Sequence, residues 1–285
     1  MGAVTSRSQR AQHDVSGSEQ PSGSERVNVL GIGVSAITMA DALAWIDHWI
    51  ARRANQYICV TGVHGVMESQ LDPALRVIHN RAGLVTPDGM PLVWISRLRG
   101  HRGVERVYGP DLMLACCESS VAKGYRHFFF GGATGVPERL SERLQKRFPG
   151  LQIAGQWSPP FRELTTLEEA ELIERINAAR PDIVWIGLST PKQERWMARY
   201  VGQISAPVLI GVGAAFDMHA GVKKQAPRWM QRSGLEWLFR LGAEPRRLWR
   251  RYLINNPWFA WRLLLQWTGV ARHDLDAGTR QSRRT

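Results

Sequence analysis

The sequence predicts an α/β protein whose largely parallel sheet is covered by helices on both faces. Three observations support this fold class. Short β-rich runs alternate with helical segments through most of the 285 residues. The runs are apolar throughout rather than alternately polar, as in strands buried on both faces. Hydrophobic residues make up 44% of the chain and charged residues 22%, so most of it can form a core.

The predicted elements follow one another in a regular order. Strands are expected at residues 27–34, 57–61, 83–86, 125–130, 151–156, 182–188 and 208–212. Helices are expected at 38–52, 65–80, 90–98, 111–123, 137–148, 167–179 and 192–200, where apolar residues recur at helical spacing. The 65–80 helix is expected to continue through Pro73. Thr165 and Thr166, with Glu168 and Glu169 beyond them, form a helix-capping pattern.

The basic charge is concentrated at the C-terminal end. The net charge is +12, and residues 223–285 hold 14 Lys and Arg against 4 Asp and Glu, a net of +10. The same segment carries six of the 12 Trp. The Ser/Gly/Gln-rich start has little to bury. We therefore predict a disordered leader (1–25), an α/β domain (26–222), a basic Trp-rich helical appendage (223–272) and a disordered tail (273–285).

Several classes of protein are excluded by composition. The three cysteines cannot form a disulfide framework, and no Cys/His spacing is typical of zinc, which fits a reducing compartment. No apolar stretch reaches the roughly 18 residues of a membrane span. The first 25 residues lack the apolar core of a secretory signal. With no HExxH and no DxD motif, we expect neither a metal nor another cofactor.

Polar or Gly-rich turns follow five of the predicted strands. Ligands of open α/β sheets bind beyond the carboxyl ends of the strands, so these turns indicate one site. In the GGATG turn, Gly131, Gly132 and Thr134 open a helix whose N–H groups suit a phosphate. The other candidate ligands of a diphosphate or sugar are Gly187, Lys192, Glu194 and Asp217, with Gln193 as an amide donor. Taken singly, each turn is equally compatible with simple chain reversal, and Lys192 with a solvated helix start.

Asp88 is the most distinctive of these residues. It lies in the sequence Thr86-Pro87-Asp88-Gly89, between a strand and an apolar helix. One interpretation is a helix N-cap, for which Asp is among the best residues. The other is a general base, since partial burial at the sheet edge would raise its pKa towards a useful value.

Six segments in order resemble the signatures of the WecG/TagA/CpsF glycosyltransferase family. They cover roughly residues 27–255 and are TPDGMPLVW, ERVYGPDLM, FFFGGATGVPERL, DIVWIGLSTPKQERWM, GVGAAFDMHAG and GLEWLFRL-x-x-EPRRLWRRY. The resemblance implies a Rossmann-like domain with a C-terminal appendage that meets the membrane. It also implies inverting, metal-independent transfer from a UDP-sugar to a polyprenyl-diphosphate-linked glycan, for exopolysaccharide, capsule, teichoic acid or common antigen.

The resemblance also assigns roles to individual residues. It implies that Asp88 is the base and that Thr61, Arg106 and Gln193 are catalytic. Three arginines are implied near the acceptor's diphosphate and the membrane: Arg240, Arg247 and Arg250. The sequence departs from the family pattern at Gly62, where relatives often have Asn, and at Gln225, where they often have Arg. Both departures bear on the choice of donor sugar, which stays open, as does homo-oligomerisation.

Two other functions compete with this interpretation. A nucleotide-dependent oxidoreductase is disfavoured because no GxGxxG with a following acidic residue is present. A nucleic-acid-binding protein is suggested by the basic, Trp-rich appendage alone. The appendage is instead interpreted as an interfacial segment with Trp at headgroup level and Arg towards anionic lipid. A further alternative is that its aromatic residues only pack onto the α/β domain. We expect a cytoplasmic protein, peripheral on the inner face of the cell membrane, with no nucleic-acid partner.

Overall fold

Six of the apolar runs pair side by side in one parallel sheet. The computed structural model describes residues 25–275 and confirms the predicted α/β, Rossmann-like fold. The strands are β1 (Arg26–Val29), β2 (Ile32–Ser35), β3 (Gln56–Thr61), β4 (Leu84–Pro87), β5 (Arg126–Gly131), β6 (Gln152–Trp157), β7 (Ile183–Gly187) and β8 (Val208–Gly211). The six-stranded sheet has the order β4-β3-β8-β7-β5-β6. The predicted leader falls outside the described residues except for Glu25, and the predicted tail except for residues 273–275.

Helices cover both faces of this sheet. In chain order they are α1 (Met39–Arg52), α2 (Val63–Leu71), α3 (Pro73–Arg81), α4 (Met90–Leu98), α5 (Gly109–Lys123), α6 (Val136–Arg147), α7 (Thr166–Ala179), α8 (Lys192–Tyr200) and α9 (Ala215–His219). The C-terminal part forms α10 (Arg228–Arg232), α11 (Glu236–Ala243), α12 (Pro245–Trp249), a π-helical turn (Arg250–Ile254) and α13 (Asn255–Trp267). The predicted boundary between residues 222 and 223 stays a prediction.

The strands are apolar because each contributes to a core on either side of the sheet. In β5, Phe128 and Phe130 join one hydrophobic cluster, whereas Phe129 joins the cluster on the opposite face. All three side chains are buried. Successive side chains of a strand point to opposite faces, so a run of three phenylalanines can be buried only between two layers of helices.

Two sequence predictions are wrong in detail. Residues 27–34 are not one strand but an antiparallel hairpin, because the chain reverses at Leu30 and Gly31, which have φ of 52° and 82°. The predicted 65–80 helix is two helices, broken at Asp72. Asp72 is extended, and its carboxylate accepts hydrogen bonds from the N–H groups of Ala74 and Leu75. Pro73 therefore begins α3 rather than interrupting one helix.

The sheet brings the predicted turns to a single edge. β3 and β4 end together, with Thr61 beside Pro87, and β5 and β7 end together, with Gly131 beside Gly187. From β3 the chain moves outwards to β4, crosses to the far half of the sheet and returns through β7 to β8 next to β3. The strand order reverses there, which is where open α/β sheets bind ligands.

The last helix returns to the N-terminal hairpin. Phe259 and Leu263 of α13 are buried in the same cluster as the hairpin side chains. The side-chain oxygen of Gln266 accepts a hydrogen bond of 3.1 Å from the N–H of Leu30. Truncating the chain before α10 would thus expose core residues. Among the described residues, no helix has both the length and the apolarity needed to cross a bilayer.

A glycine at the end of β5 gives a test of this close strand packing. Gly131 has φ of 122°, and a Cβ there would lie 2.6 Å from the carbonyl carbon of Gly187. Gly131→Ala is expected to lower the free energy of unfolding by about 1–3 kcal/mol, the usual cost of such backbone strain. The control is Gly103→Ala, since a Cβ at Gly103 meets nothing within 4 Å. Equal denaturation midpoints for the two variants would contradict this packing.

Candidate active site

Two cavities meet at the carboxyl edge of the sheet. One, of about 550 Å³, has largely apolar walls and is called here the apolar cavity. The other, of about 1150 Å³, lies over the strand-end turns and is called the polar cavity. The residues that line both are Val60, Asp88, Thr190, Arg240 and Arg251. Asp88 therefore stands at the junction of two chemically different spaces.

The side chain of Asp88 is held across the chain rather than by its own helix. Gly89, not Asp88, is the N-cap of α4, and it makes no side-chain capping bond. The N–H of Gly109 donates to Asp88 Oδ1 at 3.2 Å, and the Asp88 N–H donates to the carbonyl oxygen of Thr61 at 3.0 Å. Asp88 thus does not cap α4, and its carboxylate instead accepts from the first residue of α5.

Burial raises the pKa of Asp88 above its ordinary value. The Arg106 guanidinium opposes this increase in the pKa, whereas the Glu236 carboxylate adds to it. A carboxylate with a raised pKa and partial burial in a cleft is suited to general-base chemistry. The structure therefore places a carboxylate of raised pKa at the boundary between the two cavities.

Arg106 joins Asp88 to the C-terminal helices. Its Nε donates to the Asp88 carbonyl oxygen, and its Nη2 lies 2.5 Å from Oε2 of Glu236 on α11. The same carboxylate accepts a 3.0 Å hydrogen bond from the Tyr108 hydroxyl. The guanidinium also lies over the Tyr108 ring, 3.9 Å from its centroid. The two charged side chains are 15% and 13% exposed, so this ion pair is largely shielded from water.

A family model of the glycosyl transferase WecG/TagA/CpsF family matches residues 27–273. The chain belongs to this family. An N-acetylglucosaminyldiphosphoundecaprenol N-acetyl-beta-D-mannosaminyltransferase of Bacillus spizizenii is 33% identical over 186 residues, 65% of this chain and 70% of the relative. The enzyme of the same name from Staphylococcus aureus is 26% identical over 247 residues, 86% of this chain and 94% of the relative. The chain is therefore a glycosyltransferase.

The polar cavity of this glycosyltransferase contains most of the ligands predicted from the strand-end turns. Four of these seven residues line it, namely Gly132, Gly187, Lys192 and Asp217. Gln193, which the resemblance made catalytic, lines it as well. Asp217 is also paired with Lys223 at 3.0 Å. The predicted ligands Gly131 and Thr134 do not line this cavity, since Gly131 packs against Gly187 and Thr134 is exposed.

Gln193 and Glu194 form a buried polar pair at the start of α8. The Gln193 amide nitrogen donates to Glu194 Oε1 at 3.0 Å, and the Thr190 hydroxyl donates to the same oxygen at 2.9 Å. Gln193 Oε1 is buried and has no hydrogen-bond partner. Glu194 does not line the cavity. Its position suits it to orienting the Gln193 side chain rather than to binding a sugar.

Thr61 lies behind the site. Its side chain is buried, and its hydroxyl donates to the carbonyl oxygen of Cys59 at 3.3 Å, within its own strand. It lines neither cavity, and its contact with Asp88 is through its backbone carbonyl. A catalytic role for the Thr61 hydroxyl stays a prediction without support from this geometry.

The three predicted arginines occupy different places. Arg240 lines both cavities, and Arg247 lines the polar cavity while paired with Glu244. Arg250 lines neither cavity, and its guanidinium lies 5.2 Å from the centroid of the Trp249 ring. Its neighbour Arg251 lines both cavities instead.

The two departures from the family pattern differ in position. Gly62 lines the apolar cavity, and a Cβ there would lie 3.6 Å from Asp88 Oδ2, an ordinary contact. The position can therefore accept a side chain next to the carboxylate. Gln225 is exposed and lines neither cavity. Of the two departures, only Gly62 contacts the space where a sugar would meet Asp88.

Sequence reasoning missed Glu236 and the role of Arg251. Glu236 stands in the GLEWLFRL segment, where an acidic residue between apolar neighbours is the signal that points to a buried partner. Arg251 follows Arg250 directly, and the sequence offered no means of deciding which of the two faces inwards. Within residues 25–275, no group of three His, Cys, Asp or Glu side chains lies close enough together to hold a metal ion.

The Arg106–Glu236 pair gives a test of how the C-terminal helices are held. Glu236→Gln keeps the shape but removes the charge that faces Arg106, so the protein is expected to lose stability. In a cycle with Arg106→Gln, the coupling is expected to be about 0.5–3 kcal/mol, the range for residues in direct contact. Denaturant unfolding measures it. A coupling near zero would show that the pair does not hold α11 to the site.

Proposed function

We propose that this glycosyltransferase moves a sugar from a UDP-sugar to a polyprenyl-diphosphate-linked saccharide, with inversion and without a metal ion. The observation that carries the proposal is the position of Asp88 at the junction of the two cavities. A water-soluble donor suits the polar cavity, and a lipid-linked acceptor suits the apolar one. The carboxylate between them is placed to take a proton as the two substrates react.

The donor's diphosphate is assigned to the polar cavity. Lys192 opens α8 there, and Arg247 from the C-terminal helices also lines this cavity. Backbone N–H groups at the starts of helices favour phosphate, and cations stabilise the negative charge that develops on the departing UDP. These groups take the part that a divalent cation plays in other transferases, which supports a reaction independent of metal.

The reaction is a single displacement. Asp88 accepts the proton of an acceptor hydroxyl, and the hydroxyl oxygen forms a bond to the anomeric carbon of the donor. The bond between that carbon and the β-phosphate oxygen breaks, and its electron pair leaves with UDP. Because the acceptor enters from the apolar cavity, opposite the UDP, the anomeric configuration is inverted.

The relatives guide the choice of substrates. Their names describe transfer of N-acetylmannosamine to N-acetylglucosaminyl-diphosphoundecaprenol. We infer an acceptor of that chemical class, for a cell-surface polymer such as exopolysaccharide, capsule, teichoic acid or common antigen. The donor sugar is of the N-acetylmannosamine type or another hexose or uronate. Gly62 has room for a side chain beside Asp88, at the junction where the donor sugar would meet the acceptor.

The appendage supports a peripheral position on an anionic membrane. Trp249, Trp258, Trp261 and Leu253 are each 44–56% exposed. Arg246 and Arg250 are exposed beside them, whereas Arg240 and Arg251 face the cavities. Each basic residue near an anionic surface contributes about 1 kcal/mol, and exposed Trp is typical of the headgroup region. Phe259 and Leu263 pack onto the body, so the aromatic residues of the appendage divide between the core and this surface.

Asp88→Asn tests the base. The amide oxygen can still accept the hydrogen bond from the Gly109 N–H, so the fold is expected to persist. The rate of transfer is expected to fall about 10²–10⁴-fold, the usual contribution of a general base. In the native enzyme, kcat/KM should fall as the pH decreases through the raised pKa of Asp88, because the protonated carboxyl cannot accept a proton. Near-native turnover by the folded variant would remove Asp88 from this role.

The function itself is tested by a screen of UDP-sugars with a lipid-diphosphate-N-acetylglucosamine acceptor. Release of UDP is measured in the presence and absence of EDTA, and the anomeric configuration of the product is read by NMR. We expect acceptor-dependent UDP release that EDTA does not reduce, and a product of inverted configuration. Loss of activity with EDTA and its return with Mn²⁺ would overturn metal independence. Absence of transfer from every UDP-sugar would overturn the substrate assignment.

A further inference from the structure

We propose that the apolar cavity is a binding groove for the hydrocarbon segment that adjoins the acceptor's diphosphate. The inference rests on the proposed function and adds to it a site for the lipid itself. The enzyme would then recognise the prenyl chain directly, rather than meeting it only as part of the bilayer.

The walls of the groove come from α4 and α13. The α4 side chains include Met90, Trp94 and Leu98, and the α13 side chains include Phe259, Leu263 and Trp267. Phe259 and Leu263 are 5% and 9% exposed and form the floor, while Trp94, Leu98 and Trp267 are 45%, 72% and 46% exposed and form the rim. At about 550 Å³, the groove has the size of a small-molecule site and accepts a segment of a polyprenyl chain.

The inner end of the groove carries two guanidinium groups that form no ion pair in the described part of the chain. Arg240 and Arg251 both reach it, and in the described part of the chain neither guanidinium has a carboxylate within ion-pair distance. Arg251 Nε is buried and has no hydrogen-bond partner. Burial lowers the pKa of Arg251. The Arg251 guanidinium lies 5.8 Å from the centroid of the Tyr252 ring, a contact that leaves its buried Nε–H free to bind an anionic group.

The histidine at this end is uncharged. The pKa of His64 is lowered to about 3, mainly by burial and to a smaller extent by the nearby charges of Arg251 and Arg240. His64 is therefore neutral at physiological pH and adds no charge to the apolar wall. The groove thus matches an amphiphile that has an anionic head beside Asp88 and a long apolar tail. A free nucleotide has no tail to cover these walls.

The outer end of the groove opens towards the surface assigned to the membrane. Along α13, the groove residues Phe259, Leu263 and Trp267 recur at helical spacing. Trp261 and Leu264 lie between them in sequence, are about half exposed and do not line the groove. One helix therefore has a groove face and an apolar outer face. A prenyl chain can pass from the bilayer into the groove along α13 with little contact with water.

Ala260 offers a way to fill the groove without removing a core side chain. It lines the cavity and is exposed, so Ala260→Phe adds bulk to the groove. The matched control is Leu264→Phe, which adds bulk on the outer face of the same helix. Retained UDP binding and vesicle binding in both variants check that each is folded. Ala260→Leu is a smaller substitution for use if the Phe variant does not fold.

Binding is measured by titration calorimetry with farnesyl diphosphate and methyl diphosphate. The native protein and Leu264→Phe are expected to bind the farnesyl compound at least tenfold more tightly than the methyl compound. Ala260→Phe is expected to lose this preference and to keep its affinity for methyl diphosphate. Equal affinities for the two ligands in the native protein, or an unchanged preference in Ala260→Phe, would overturn the groove.

Transfer assays separate this inference from the proposed function. Acceptors with the same diphosphate-sugar head and either a farnesyl or a methyl tail are compared in the same variants. A tail preference in kcat/KM that Ala260→Phe removes supports the groove. Transfer with no tail preference overturns the groove and leaves the function standing. Groove-dependent binding of farnesyl diphosphate without transfer to either acceptor supports the groove and overturns the function.

Discussion

The shielded ion pair between Arg106 and Glu236 connects the two parts of the active site. Arg106 follows β4 in the chain and bonds to the backbone of Asp88, whereas Glu236 belongs to α11. Separating largely buried opposite charges would leave each without compensation, which is strongly unfavourable. The pair therefore fixes the helices that carry Arg240 and Arg251 next to the carboxylate. The same two charges act on the pKa of Asp88, so the position of the C-terminal helices affects this carboxylate.

The proposed reaction needs two substrates of opposite character at one carbon atom. A parallel sheet provides a polar edge, because its strand ends present glycine turns and helix starts. It does not provide an apolar cavity at that edge. Here α13 supplies it by returning to the N-terminal hairpin and placing its apolar face opposite α4. The junction of the two cavities thus arises from the packing of the two ends of the described chain.

The proposed function gives the arginines of the C-terminal helices two different tasks. Arg246 and Arg250 are exposed and suit the headgroups of an anionic surface, whereas Arg240 and Arg251 face the cavities and suit a diphosphate. The sequence could not separate these groups. Pro245 begins a new helix, and a π-helical turn follows from Arg250 to Ile254, so no single helical period runs through the segment. Which arginines face inwards was decided by these two irregularities.

The sequence by itself determined the α/β fold and the strand ends that border the cavities, and it singled out Asp88, which lies at their junction. These features depend on local patterns: apolar runs, helical spacing and glycine turns. It did not determine the hairpin at Leu30 and Gly31 or the helix break at Asp72, because both looked like continuations of an apolar or helical pattern. Only the tertiary structure placed Glu236 against Arg106 and brought Arg251 into the two cavities that Asp88 lines. Each of these pairs of residues lies more than a hundred positions apart in the chain, and their arrangement follows from helix packing, which no local pattern encodes.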